Sequence, residues 1–148
     1  ESVATNDDPN RRVFQQRLQT TNATKTTLHN FTTASDRVYL VRASVVARCV
    51  SGAGCTAGQG AGCVLKATMK NVGGTASRID TTSTVDYAVS DVTAVGACTT
   101  VDATSTVTLQ AAIAGGCTAN TDFCVRVTGG ATHTITWHDT LEMQDVGT

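Results

Sequence analysis

Charged residues are scarce in this sequence. Asp, Glu, Lys and Arg make up 16% of its 148 residues, against about a quarter in a typical soluble domain. The net charge is −1, so the chain has neither the basic field that attracts nucleic acid nor an acidic tail. This composition predicts that nucleic acid is not a partner.

Long apolar runs are missing as well. No run approaches the roughly 18 residues that a membrane helix needs, which predicts that the chain does not span a membrane. Proline occurs once, at Pro9. The chain starts at Glu1 without Met and without a secretory signal pattern, which processing, trimming or upstream sequence would each explain.

Patterns that carry catalysis or hold a metal are also absent. The serines lack a GxSxG elbow, the cysteines lack CxxC pairs, and the glycine-rich stretch Ser51–Gly62 lacks the Lys-Ser/Thr of a phosphate-binding loop. His133 and His138 are five residues apart, and Asp139 directly follows His138. On a strand, His138 therefore faces the side opposite to both His133 and Asp139, so neither pair can act together. We therefore predict no catalytic residue, no metal ligand and no cofactor.

Threonine takes the place of charge, with 28 residues. Thr is β-branched and is enriched in strands, and its hydroxyl also suits a wet face. The length fits one domain with a real core. Abundant Thr, Gly, Ala and Val with little charge is typical of extracellular or virion β-proteins rather than of cytosolic enzymes.

The clearest strand signal is Cys63–Gly74. Cys63, Leu65, Ala67 and Met69 alternate with more polar neighbours, as in a half-buried strand with one core face. The stretch then ends in Gly73-Gly74, where glycines permit a tight reversal.

The same alternation recurs along the chain and predicts about eight strands with turn signals between them. The other expected strands are Thr24–Phe31, Val38–Cys49, Thr75–Ile79, Thr84–Val89, Ser105–Ala112, Phe123–Thr128 and His133–Met143. Gly129-Gly130 reads as a hairpin turn. Two packed antiparallel sheets, a β-sandwich or jelly-roll-like fold, account for this number of strands.

The domain division follows from the polar start of the chain. Glu1–Gln16 is predicted to be an extended N-terminal arm that docks onto another chain or stays loose, with a short helical turn as an option over Arg11–Leu18. Arg17–Thr148 forms the sandwich domain. The candidates for subunit contact are Val13, Phe14, Leu40 and Val46. For the last two, burial under the second layer of the same domain is an equal alternative.

The six cysteines are even in number and favour disulfides, with buried free thiols as the alternative. Local pairing predicts Cys49 with Cys63 and Cys117 with Cys124. Cys55 and Cys98 then remain, either paired or free.

Three segments together resemble a known module. They are RLQTTNATKTTLHNFTTASDRVYLVRASVVARCV (Arg17–Val50), GAGCVLKATMKNVGG (Gly60–Gly74) and VRVTGGATHTITWHDTLEM (Val125–Met143). The residue patterns of these segments, and their order along the chain, resemble the surface or C-terminal β-sandwich module of tailed-phage virion proteins. Cys49 and Cys63 depart from that pattern, which more usually has Arg and an aromatic residue at these positions.

The resemblance implies a β-sandwich of the tail-fibre, head-fibre or capsid-decoration type, often a homotrimer. On this basis we expect a non-enzymatic structural protein of the virion, whose partners are copies of itself and other virion proteins. One alternative is a fibre tip that binds a host surface glycan, which requires an exposed aromatic residue. Trp137 and Tyr87 are the candidates, although their apolar spacing favours the core. The other alternative is a secreted bacterial adhesin or filament subunit.

Overall fold

The computed structural model describes residues 11–53, 55–80, 84–90 and 110–147, and it is an all-β antiparallel sandwich, as predicted. Within these ranges the strands are β1 (Arg11–Thr20), β2 (Lys25–Thr32), β3 (Arg37–Gly52), β4 (Gly60–Val72), β5 (Thr75–Arg78), β6 (Thr84–Ser90), β7 (Gln110–Gly115), β8 (Asp122–Thr128) and β9 (His133–Gly147). The described ranges hold no helix long and apolar enough to cross a membrane. Residues 105–109 of the predicted strand Ser105–Ala112 lie outside the described ranges, and its last three residues belong to β7.

Two sheets of unequal size make up the sandwich. The large sheet has the order β1-β9-β3-β4, and β5 and β6 pair with opposite halves of the far edge of β4. The small sheet has the order β2-β8-β7. The long strands β3, β4 and β9 form the centre of the large sheet, and they contain most of the three segments that resemble the phage module.

The core lies between the sheets, and period-two alternation decides which side chains enter it. The alternating residues predicted for the core face of β4, Cys63, Leu65, Ala67 and Met69, are all buried there, so this prediction is confirmed. The alternating apolar residues of β3 and β9 are buried beside them. The small sheet covers them with Leu28, Ile113, Phe123, Val125 and Val127. These central strands also bring together residues far apart in sequence.

The predicted reversal after β4 is confirmed. Gly73 and Gly74 have φ values of 59° and 86°, which two-residue hairpin turns need and glycine adopts without steric cost. The side chain of Asn71 holds the turn, because its Oδ1 accepts a hydrogen bond from the Gly74 amide at 2.9 Å. Its Nδ2 donates to Thr33 Oγ1 at 2.7 Å, which ties the turn to the β2–β3 connection.

The hairpin predicted at Gly129-Gly130 is wrong. β8 belongs to the small sheet and β9 to the large sheet, so this connection crosses between the two layers. A Cβ on Gly129 would lie 2.5 Å from Thr20 Oγ1, and one on Gly130 would collide with the His133 ring. These glycines are therefore required by close packing at the crossing rather than by a tight turn.

The start of the described chain also differs from the prediction. Arg11–Leu18 is not a helical turn but part of β1, because its partner β9 offers an unbroken ladder from Arg11 opposite Gln144 to Thr20 opposite Ile135. A domain boundary at residue 16 would divide this strand. Residues 1–10 of the proposed arm lie outside the described ranges. The first residue of β1 and the last residues of β9 lie at the same end of the sheet.

Two disulfides are described. Cys117–Cys124 is confirmed, and Cys49 pairs with Cys55 rather than with Cys63. The sheet register explains the correction: Cys63 lies opposite Val45, four residues from Cys49, or about 13 Å along the strand. Cys63 is disulfide-bonded, and Cys98 lies outside the described ranges.

Candidate functional site

The outer face of the large sheet carries three of the four residues predicted for subunit contact. Val13 on β1 is 54% exposed, and Leu40 and Val46 on β3 are 52% and 53% exposed. The alternative for Leu40 and Val46, burial under a second layer, is not found. Phe14 points to the other side of β1, where it is partly buried and packs against His29 and Phe31 with ring centroids 5.9 and 5.7 Å away.

Exposed aliphatic residues gather at one end of this face. Val38 lies directly opposite Val146 on β9, Leu40 is two residues further along β3 on the same face, and Val72 ends β4 nearby. All four are exposed. Each alone would be unremarkable on a soluble protein, but neighbouring aliphatic side chains mark contact surfaces more often.

Charged residues occupy the middle of the same face. Glu142 lies 3.8 Å from Arg11 and 3.7 Å from Arg42, and Lys66 pairs with Asp86 at 2.7 Å. Four of these side chains line a shallow depression of about 270 Å³ that Leu40 also borders: Arg11, Arg42, Lys66 and Glu142. Exposed pairs of this kind contribute little stability, on the order of 0–1 kcal/mol each.

A His–Asp pair lies inside the sandwich. Asp139 on β9 is fully buried, and its two carboxylate oxygens lie 3.3 and 3.2 Å from His29 Nδ1 on β2. A bulge in β2 between Thr27 and His29 turns the imidazole towards it. The pair therefore joins the two sheets across the core.

A second buried carboxylate lies at the end of the sandwich. Asp145 on β9 is hydrogen-bonded by Arg37 and forms an ion pair with Arg12 at 3.6 Å. The Arg12 guanidinium also lies 5.8 Å from the centre of the Phe31 ring. This cluster ties β1, β3 and β9 together and closes the space between the sheets at that end.

Asp122, at the start of β8, organises the turn that the Cys117–Cys124 disulfide closes. Its carboxylate accepts hydrogen bonds from Asn30 Nδ2 at 2.8 Å and from the Ala119 amide at 3.2 Å. The hydrogen bond from Asn30 is the main cause that lowers the pKa of Asp122, against the opposing effect of burial. The turn is therefore built around an ionised carboxylate.

His133 plays a comparable structural role at the other disulfide loop. It is buried at the start of β9, and its Nε2 donates a hydrogen bond to the Ala53 carbonyl at 2.5 Å. Gly52 approaches the His133 ring so closely that a Cβ there would lie 2.7 Å from it. The imidazole thus fixes the loop that the Cys49–Cys55 disulfide spans.

These polar groups do not converge on one reactive site. In the described ranges no three His, Cys, Asp or Glu side chains lie close enough to hold a metal ion. The hydrogen bonds of His29 that the described residues contain all go to Asp139. Such a pair can orient an imidazole, but a relay also needs a nucleophile beside it.

The sequence reasoning missed the His29–Asp139 pair and judged His138 correctly. His138 lies on the outer face while Asp139 points inward, as the alternation predicts. The partner of Asp139 is 110 residues away in sequence, and no local pattern identifies it. An Asp in phase with Ile135, Trp137, Leu141 and Met143 was the one available signal, since a buried carboxylate needs a partner.

The aromatic residues whose side chains are described lie in or against the core. Trp137 is buried, and its Nε1 donates to Thr20 Oγ1 at 2.9 Å. Tyr39 and Phe123 are buried as well, and Phe14 and Phe31 pack against the core. The side chain of Tyr87 lies outside the described part. The core assignment of Trp137 is confirmed.

Comparison with known proteins gives a distant structural similarity. No protein-family model and no curated protein matches the chain. The crystal structure of the Acinetobacter baumannii phage AM24 tailspike protein is similar to it with a TM-score of 0.48 and 13% sequence identity. The similarity covers 94% of this chain and 27% of that chain, so this chain corresponds to about a quarter of that protein's length.

Proposed function

We propose that this protein is a non-enzymatic structural module on the surface of a tailed-phage virion, where copies of the chain assemble with one another and with other virion proteins. The observation that carries the proposal is the contrast between the two sides of the large sheet. The buried side is filled with apolar side chains, and its carboxylates Asp139 and Asp145 contact His29 and Arg37. The outer face instead bears Val13, Leu40 and Val46, each about half exposed. A rigid body with an uncovered aliphatic face suits attachment.

Two further features support this function. The segments that resemble the phage module include β3, β4 and β9, the strands that form the stiff centre of the sandwich. Two disulfides and the His133 contact staple the loops at its periphery. Such loops resist opening outside a cell, where disulfides persist.

The test is to locate the protein and its gene. Gold-labelled antibodies raised against the folded chain are expected to decorate phage particles from a culture that carries the gene. The neighbouring genes are expected to encode capsid or tail proteins. Labelling of the bacterial envelope, without particles, would support a secreted adhesin instead. The glycan-binding alternative requires an exposed aromatic residue, and none of the aromatic side chains that the structure describes is exposed.

Assembly is tested separately by light scattering on the purified chain. The proposal expects a homo-oligomer, and the homotrimer that the resemblance implies remains a prediction for the same measurement. A strictly monomeric chain at high concentration would contradict self-assembly. It would leave attachment to other virion proteins as the route onto the particle.

A further inference from the structure

The free edge of β1 is the longest regular strand edge in the described part of the molecule. β1 has ten residues, pairs with β9 on one side without a register shift, and contains no proline. In the described ranges its other side has no partner strand. A strand edge of this length presents a row of backbone N–H and C=O groups that can add another strand. Near its centre the Arg17 N–H donates to the Gln16 side-chain Oε1 at 3.3 Å, a local contact that a pairing strand would replace.

The other sheet edges are protected in ways that β1 is not. β2 is interrupted by a bulge between Thr27 and His29, and β5 and β7 have only four and six residues. The pairing of β6 with β4 also shifts register, between Val64 and Leu65. Bulges and short strands are the usual devices that prevent edge pairing.

From this edge we infer that two copies of the chain pair through antiparallel β1 strands around a two-fold axis at Gln16, which joins their large sheets into one. The inference rests on the proposed assembly of copies of one chain and specifies how they meet. The edge of β1, which has no partner strand in the described ranges, and the side chains along it favour this arrangement.

The arginines of β1 disfavour a parallel arrangement in matched register. In a parallel pair with matched register, Arg11, Arg12 and Arg17 would each face their own copy, and like charges directly opposite are destabilising. In an antiparallel pair centred on Gln16, Arg12 faces Thr20 and Arg17 faces Gln15 of the second copy. Neutral residues then oppose the charges.

The apolar residues of β1 select the register. If the two small sheets are to lie on the same side of the joined large sheet, each β1 residue must lie opposite a β1 residue of the second copy whose side chain points to that same side. A two-fold axis at Gln16 does so, and it places Phe14 opposite Leu18 of the second copy. Both side chains are half-buried at the open side of the sandwich, so pairing would cover them. An axis at Gln15 would instead place Phe14 opposite Gln16.

Cysteine cross-linking of the full-length chain tests the register. A Gln16→Cys variant would face its own copy across the axis at a Cα distance of about 4.5 to 5.5 Å, which suits a disulfide. Gln19→Cys is the matched control, because it is also exposed and its own copy would lie about 20 Å away. We expect mild oxidation to give covalent dimers of Q16C and not of Q19C. Equal cross-linking of the two variants would overturn the inference.

Charge substitution at the same two positions tests the association. Gln16→Lys puts two ammonium groups opposite each other and is expected to weaken the dimer about fivefold or more, whereas Gln19→Lys leaves it unchanged. The melting temperatures of both variants, measured at a concentration where the chain is monomeric, control for folding. An oligomer that Q16K leaves intact, a trimer in particular, would refute β1 pairing and keep the proposed function. A monomeric wild-type chain would refute both the β1 pairing and the proposed self-assembly.

Discussion

Removing the buried carboxylate of Asp139 is expected to be among the most damaging single changes to this protein. Asp139 is fully buried and the His29 side chain is only 10% exposed, so Asp139→Ala leaves an imidazole in the core without its partner. Breaking a buried pair costs about 3–5 kcal/mol of unfolding free energy. For a chain of this length that corresponds to a drop in melting temperature of about 6–20 °C.

The assay is reversible denaturant unfolding at constant pH with the disulfides intact, for wild type, D139A, H29A and the double variant. Because both single variants remove the same contact, the double variant is expected to lose less free energy than the two losses added together, by about 0.5–3 kcal/mol. Asp86→Ala is the matched control: its pair with Lys66 is exposed, and its loss is expected to cost less than about 1 kcal/mol. A D139A loss no larger than that of D86A, or fully additive losses, would refute the reasoning.

Three further predictions concern the outer face, a disulfide and a buried turn. Leu40→Asp combined with Val46→Asp is expected to weaken assembly while the melting temperature of the monomer stays within a few degrees, since both side chains already contact water; unchanged assembly in light scattering would contradict a role in contact. Replacing Cys49 and Cys55 by Ser opens a short loop and is expected to cost about 2 kcal/mol in denaturant unfolding, and a cost near zero would show that His133 alone holds the loop. Because the pKa of Asp122 is lowered in the folded state, its ionised form stabilises the fold above its unfolded pKa, and that stability is lost as pH falls below about 4; Asn30→Ala is expected to reduce this acid dependence, and an unchanged stability profile between pH 2 and pH 6 would count against it.

The sheets were predictable because their signal is local. Alternation from Cys63 to Met69 and from Ile135 to Met143 requires only that one face of a strand is buried, and the same residues then appear in the core. The reversal at Gly73-Gly74 was predictable for the same reason, since the need for positive φ arises within the turn itself.

The features that the sequence did not predict depend on which strands pair with each other in the sheets. Cys49 is predicted to pair with Cys63 because the end of one strand and the start of the next are neighbours in a hairpin. The pairing of β3 with β4 extends to Arg48 opposite Gly60, however, and this register places Cys63 opposite Val45. Gly129-Gly130 reads as a hairpin, whereas it joins two layers. β1 lacks a strong apolar pattern because only Phe14 and Leu18 pack inward. Its strand state comes from pairing with β9, which lies over a hundred residues away.

The arrangement of β1 beside β9 also determines how the fold responds to force. Arg11 and Gly147 lie at the same end of the large sheet, so tension applied between these two points pulls the strands apart sideways and breaks their backbone hydrogen bonds one at a time. Tension along opposite ends of neighbouring strands would load all these bonds together. Single-molecule pulling through residues 11 and 147 should therefore separate β1 from β9 at a lower force than pulling through residues at opposite ends of the two strands.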